Sequence, residues 1–225
     1  MAEILVRFKK KYYLCSVKLI YRDMIRYAID QLKAWKHQPN RKPLILQGAR
    51  QVGKTWLMKQ FAAECFEHSV YVNFENNQLL EHLFEKDFDM DRILLELQIA
   101  THTTITPNTL LLFDELQEVK RGVTALKYFQ ELLPEQPIIA AGSLLGIAMH
   151  RDDSFPVGKV DFLTLYPMSF FEFAEAMGEQ LLVKQLRDQR WEIINKYASR
   201  LETLLRQYFY VGGMPEVVSA FVQNK

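Results

Sequence analysis

The sequence is poor in the residues that staple or plate a fold. Its only cysteines are Cys15 and Cys65, too few for a disulfide framework or a thiolate metal site. The five histidines, His37, His68, His82, His102 and His150, fall at no metal-ligand spacing. Charge of one sign is also lacking: the net charge is +1, which gives no global electrostatic argument for nucleic acid or an acidic membrane surface. No apolar run approaches the roughly 20 residues of a membrane span. The run Tyr12-Tyr13-Leu14-Cys15-Ser16-Val17 after Lys9-Lys10-Lys11 is cut by Lys18 and has no small-residue cleavage site, which argues against a signal peptide. These absences predict a cytoplasmic protein with no membrane contact. What is present suits one α/β domain with some additional chain: 225 residues, 49% hydrophobic, enough to bury a sizeable core.

Glycine is scarce as well, with nine residues, so a pair set five apart stands out. Gly48-Ala49-Arg50-Gln51-Val52-Gly53-Lys54-Thr55 reads G-x-x-x-x-G-K-[ST], a phosphate-cradling loop. The two glycines let the backbone turn without a Cβ clash. Backbone N–H groups from Gln51 to Thr55 can form an anion nest. Lys54 would reach the β- and γ-phosphates, and the Thr55 hydroxyl would hold Mg²⁺. The nucleotide-binding residues expected on this basis are Gly48, Arg50, Gln51, Val52, Gly53, Lys54 and Thr55. The flanks agree. Pro43-Leu44-Ile45-Leu46 reads as a buried strand, and Leu57, Met58, Phe61, Ala62 and Cys65 mark one face of a following helix. That helix would point its N-terminus at the phosphates.

Elsewhere strands alternate with helices. Residues 1–20 form a basic extension. The spacing predicts an amphipathic helix from Tyr21 to Trp35, broken by Pro39 and Pro43. Ser69–Phe74 is the second strand, and Leu79–Phe84 is expected to be helical. Asp91 is the expected N-cap of a helix carrying Ile93, Leu94, Leu97 and Ala100. The nearby Asp87-Phe88-Asp89-Met90-Asp91 fails as a calcium loop, because Arg92 and Gln98 stand where glycine and glutamate are needed. Leu110–Phe113 is the third strand, followed by a helix through Ala125, Leu126, Phe129, Leu132 and Leu133. Ile138–Ala141 is the fourth strand and Val160–Leu165 the fifth. Ser169 and Glu172 form a capping box before Phe170, Phe171 and Phe173. From Gly178 onward the pattern is helical. The alternation over residues 43–180 predicts a parallel sheet covered on both faces.

The third strand runs into Asp114-Glu115. An acid at a strand end can hold Mg²⁺ opposite Thr55, and its neighbour can take a proton from an attacking water. Asp114 is therefore the second expected metal residue, and Glu115 the expected general base. Ser143, after the fourth strand, would share that sheet edge and could bond the γ-phosphate or the water. The expected catalytic set is Glu115, Lys54 and Ser143. The plainer alternatives are solvated acids at a strand end and a turn residue beside Gly142.

Together these residues resemble AAA+-type ATPases, and more narrowly the large prokaryotic group of AAA-domain ATP-binding proteins. The matching stretches are Arg41-Lys42-Pro43 through Lys54-Thr55, Phe113-Asp114-Glu115-Leu116-Gln117, Ala141-Gly142-Ser143, Pro156–Val160, Leu165–Phe173 and Tyr210–Pro215. The resemblance implies a P-loop NTPase fold, a three-layer α/β/α sandwich with a parallel five-stranded sheet in order 5-1-4-3-2. It implies ATP and Mg²⁺ as ligands, Asp114 and Glu115 as the Walker B pair, and Ser143 as the sensor residue. The implied division is an extension over residues 1–20, an ATP-binding domain over 21–180, and over 181–225 the opening of a helical C-terminal domain that relatives carry further, often likened to nuclease folds. Many relatives have arginine where Lys159 stands, and lysine supplies charge without a bidentate fork. A trans arginine supplied by self-association is then the expected finger, with Arg151 and Lys159 as weak internal alternatives. A role on DNA comes only through the resemblance, and the charge balance does not argue for it. The expected activity is Mg²⁺-dependent ATP hydrolysis. The alternative is a nucleotide-gated switch with little or no turnover.

Overall fold

The structure, a computed structural model, describes residues 24–75, 77–143, 156 and 158–224, with Ser143 described by its backbone. It divides into two compact units. One is Ala28–Tyr166. The other joins, of the described residues, 24–27 to 167–224.

The first unit is built on a sheet of five parallel strands: β1 (Leu44–Gly48), β2 (Ser69–Asn73), β3 (Leu110–Asp114), β4 (Ile138–Ser143) and β5 (Asp161–Leu165). Their order is β2-β3-β4-β1-β5, and every pairing is parallel. This is the expected order read from the other edge. Among the described residues, the helices of this unit are α1 (Ala28–Lys36), α2 (Lys54–Cys65), α3 (Met90–Thr101) and α4 (Gly122–Leu132).

Strand residues point alternately to opposite faces, and the core divides accordingly. Ile45, Val70, Val72, Leu111, Phe113, Ile138 and Ala140 pack with Ile93 and Leu97 of α3 and Leu126 and Phe129 of α4. Leu44, Leu46, Leu110, Leu112, Ile139 and Ala141 pack with Leu32 and Trp35 of α1 and Leu57, Met58 and Phe61 of α2. A sheet buried on both faces needs near-continuous apolar strands, and β3 is buried at all five positions. All strands being parallel, their C-terminal ends share one edge. There Gly48 pairs in register with Ser143 and Leu165, and Asn73 with Asp114.

Three local expectations need correction. The helix expected from Tyr21 starts at Ala28. Positions 21–23 lie outside the described residues, and residues 24–26 are not helical because Glu172 holds this segment: its Oε1 accepts from Arg26 Nε at 3.1 Å and Tyr27 N at 2.9 Å. The stretch Leu79–Phe84 is a 3₁₀ turn at Gln78–Leu80 followed by further turns. Its bonds close over three residues, Leu80 N to Asn77 O and Leu83 N to Leu80 O. Such turns bury Leu80, Leu83 and Phe84 at a spacing that imitates an α-helix. The cap of α3 is Asp89, not Asp91. The Asp89 carboxylate accepts from Asp91 N at 3.0 Å and Arg92 N at 3.2 Å.

The second unit is helical: α5 (Phe170–Ala176), α6 (Gln180–Arg187), α7 (Trp191–Lys196), α8 (Ala198–Val211) and α9 (Pro215–Gln223). The Ser169–Glu172 capping box is formed. Met24, Met168, Phe173 and Val218 make its buried core.

Candidate nucleotide-binding site

The loop between β1 and α2 lies at the C-terminal sheet edge. A Cβ on Gly48 would sit 2.4 Å from the Leu165 carbonyl oxygen and 3.2 Å from Val52 Cγ1. Only a residue without a side chain lets β1 run this close to the end of β5. Gly53 caps α2 in the left-handed region, at φ 93°. Gln51 is also left-handed, at φ 63°, which costs about 1 kcal/mol for a residue with a Cβ. Val52 is fully buried in the α1/α2 core layer and pins the loop. Ala49, Arg50 and Gln51 are exposed.

No side chain caps α2, and its first turn holds no acidic residue. The start of α4 shares both features, whereas α3 and α5 are capped by Asp89 and Ser169. The first N–H groups of α2 thus meet no side-chain acceptor at the cap. This is the electrostatic character of an anion-binding helix end.

Lys54 is 7% exposed. Its ammonium donates to the carbonyls of Gly48 at 3.0 Å and Ala49 at 2.9 Å. Burial pushes its pKa below the usual lysine value. Glu115 and then Asp114 oppose that shift, and Arg50 adds to it. A cation so placed is held against the loop and is only partly compensated.

The loop is joined to β3 by one short contact. The Thr55 hydroxyl donates to Asp114 Oδ2 at 2.6 Å. Tyr71 OH donates to the same oxygen at 2.9 Å. Burial, and then the Asp114 charge, raise the Tyr71 pKa well above the ordinary phenol value. Asp114 is 3% exposed, and among the described residues its buried Oδ1 has no hydrogen-bond partner. Glu115 follows in the left-handed region, at φ 52°. That conformation turns the chain from β3 into the 3₁₀ segment Leu116–Glu118. Its Oε2 accepts from Gln117 Nε2.

The structure therefore brings Lys54, Thr55, Asp114 and Glu115 to one end of the sheet. The Ser143 backbone lies at that edge as the register partner of Gly48. Arg151 lies outside the described residues. Lys159 is paired with Glu131 at 3.0 Å. Tyr71 and Gln117 are the two site residues that sequence reasoning missed. For Tyr71 the available signal was a polar aromatic two places before the end of β2. For Gln117 it was an amide two places after Glu115.

No group of three or more His, Cys, Asp or Glu among the described residues could hold a metal by itself. A magnesium ion bound with nucleotide needs only one or two protein oxygens, the rest coming from phosphate and water. The Thr55 hydroxyl and an Asp114 carboxylate with one unpartnered buried oxygen fit that requirement. No helix of the described residues is long and apolar enough to cross a membrane.

A glycine-bounded loop between a central strand and an uncapped helix, facing a buried strand-end acid, defines the P-loop class of nucleotide-binding proteins. The chain belongs to the AAA domain family, whose model matches residues 40–174. Among solved structures, the Walker-type ATPase paby2304 of Pyrococcus abyssi aligns with 88% of the chain at 16% identity and a TM-score of 0.52. The RuvB Holliday junction branch migration motor of Thermotoga maritima aligns with 89% at 17% identity and a TM-score of 0.48. The chain spans 66% and 61% of the lengths of these two proteins. At 16% identity the likeness to the Pyrococcus abyssi protein concerns the fold alone. A search of curated proteins finds no match.

Proposed function

We propose that this chain binds ATP with Mg²⁺ at the β1–α2 loop and hydrolyses it. The observation that carries the reading is the 2.6 Å bond from Thr55 to Asp114, beside an Asp114 oxygen that is buried and unpartnered. A carboxylate oxygen kept from water without a donor is costly, and a hard cation relieves that cost.

In this reading the backbone N–H groups from Gln51 to Thr55 hold the phosphates, with Gly48 and Gly53 shaping the loop. Lys54 exchanges its two carbonyl partners for phosphate oxygens. Arg50, exposed on the loop, adds charge at its mouth. Thr55 and Asp114 hold Mg²⁺, which when bound neutralises charge developing on the transferring phosphoryl group. Glu115 accepts the proton of the attacking water, and Ser143 orients that water or the γ-phosphate. An arginine from a second copy completes the charge stabilisation.

The test is phosphate release from radiolabelled ATP, with and without Mg²⁺, for the wild type and Glu115→Gln. The expected result is Mg²⁺-dependent release by the wild type and a loss of about 100-fold or more in the variant, with nucleotide binding retained. Binding without measurable release by the wild type would replace this reading with the nucleotide-gated switch.

A further inference from the structure

Asp114 has two chemically equivalent oxygens, and they are treated very differently. Oδ2 receives two hydroxyl donors from two elements, Thr55 from α2 at 2.6 Å and Tyr71 from β2 at 2.9 Å. Oδ1 is buried and receives none among the described residues. An ionised carboxylate offers about two acceptor positions on each oxygen. The donors therefore occupy one oxygen fully and leave the other open.

The Tyr71 phenol is held independently of Asp114. Tyr71 pairs in register with Leu112, and Asp114 lies two residues further along β3 on the same face. This diagonal is within reach of an aromatic side chain. The ring packs against the α1/α2 core layer, and the Lys59 ammonium sits 3.7 Å from its centroid. The hydroxyl is thus the tip of an arm fixed by packing on β2 and by a cation on α2. The terminal torsion of an aspartate is broad and roughly two-fold. With Thr55 as its only donor, the carboxylate could swing about that bond. The second donor, arriving from another strand, fixes the plane of the carboxylate and with it the place of the other oxygen.

We infer that Tyr71 is a positioning residue that fixes the plane of the Asp114 carboxylate, so that the oxygen turned away from the two hydroxyls stays open and in place for the nucleotide's Mg²⁺. The inference rests on the ATP–Mg²⁺ reading above and adds a residue to it. Tyr71 touches neither phosphate nor water in this role.

The test is Tyr71→Phe in the full chain, which keeps the ring and its Lys59 contact. Binding of a fluorescent ATP analogue is followed while Mg²⁺ is titrated, and again in EDTA. The variant is expected to need about 10-fold more Mg²⁺ for half-maximal binding, the usual scale for losing a partner of a metal ligand. Its metal-free affinity should stay within about twofold of the wild type. In an Asp114→Asn background the same change should shift nothing, because the effect passes through Asp114. An unchanged Mg²⁺ requirement in Tyr71→Phe overturns the inference and leaves the ATPase reading standing. So does an equal loss with and without metal, which marks a structural role alone. A wild type whose analogue binding ignores Mg²⁺ overturns both.

Discussion

At the scale of single residues, the site is set by what cannot be larger and by what has no partner. Gly48 is the first kind. Its missing Cβ leaves room for the carbonyl oxygen of Leu165, 2.4 Å from where that atom would be. The obstacle is backbone, so it cannot rotate away, and relief requires β1 and β5 to separate at the phosphate edge. Gly48→Ala is therefore expected to cost about 2–3 kcal/mol, the upper range for overpacking. On a chain of this length that is a fall of roughly 4–12 °C in melting temperature. Nucleotide affinity should fall with it. Gly158→Ala is the control. Gly158 is left-handed, at φ 74°, and among the described residues nothing lies within 4 Å of its absent Cβ, so only about 1–2 kcal/mol of backbone strain applies. A differential-scanning melt that ranks the two in the opposite order would contradict the close-approach account. The same scale shows what a sequence can disclose. Gly48, Gly53, Lys54 and Thr55 are neighbours along the chain, so their spacing is the motif. Asp114 and Glu115 stand out because an apolar strand ends on them. Tyr71 offers no such signal. Its partner is 43 positions away, and the two meet only through the β2–β3 register. Gln117 belongs to a stretch that matches the family, yet its bond to Glu115 depends on the left-handed turn at Glu115, which no composition rule locates.

At the scale of elements, apolar periodicity located the strands and the longer helices, and it failed where tertiary contacts chose the ends. The capping of α3 is the clearest case. Asp87, Asp89 and Asp91 are all short acids before an apolar helical face, and any of them could start it. The structure selects Asp89, whose side chain takes two backbone N–H groups. Asp87 is engaged elsewhere: with Arg92 at 2.9 Å, which holds the preceding turn against the helix. Asp91 is inside the first turn, where an acid gains only from the helix dipole. Asp89→Ala should therefore cost about 1 kcal/mol, and Asp91→Ala about half of that or less. Urea denaturation distinguishes them, and equal costs would return the cap to Asp91. The late start of α1 has a comparable cause. Glu172 takes the Tyr27 N–H and the Arg26 guanidinium while also closing the capping box of α5. A carboxylate 145 residues away, not local propensity, decides where this segment stops being helical.

At the scale of the whole molecule, strand order was not readable from periodicity. Five strands of five or six residues carry no mark of who pairs with whom, because long-range pairing depends on the crossovers. The order came from the resemblance, through motifs that belong to one topology. That topology places Lys54, Thr55, Asp114 and Glu115 on one edge, and it leaves one expectation that the isolated chain must answer. Phosphoryl transfer of this kind gains roughly 10³–10⁵ in rate from an arginine at the γ-phosphate. Lys159, standing where many relatives have arginine, is tied to Glu131 and offers a point charge without a fork. If the finger comes from a second copy, turnover per chain must follow assembly by mass action. Dilute protein should hydrolyse ATP slowly, and specific activity should climb as concentration passes the dissociation constant of the assembly, then level off. ATP turnover measured over a hundredfold range of protein concentration, beside light scattering on the same samples, tests this. A fast rate that stays constant while the protein remains monomeric would place the needed cation within a single chain and remove the requirement for a partner.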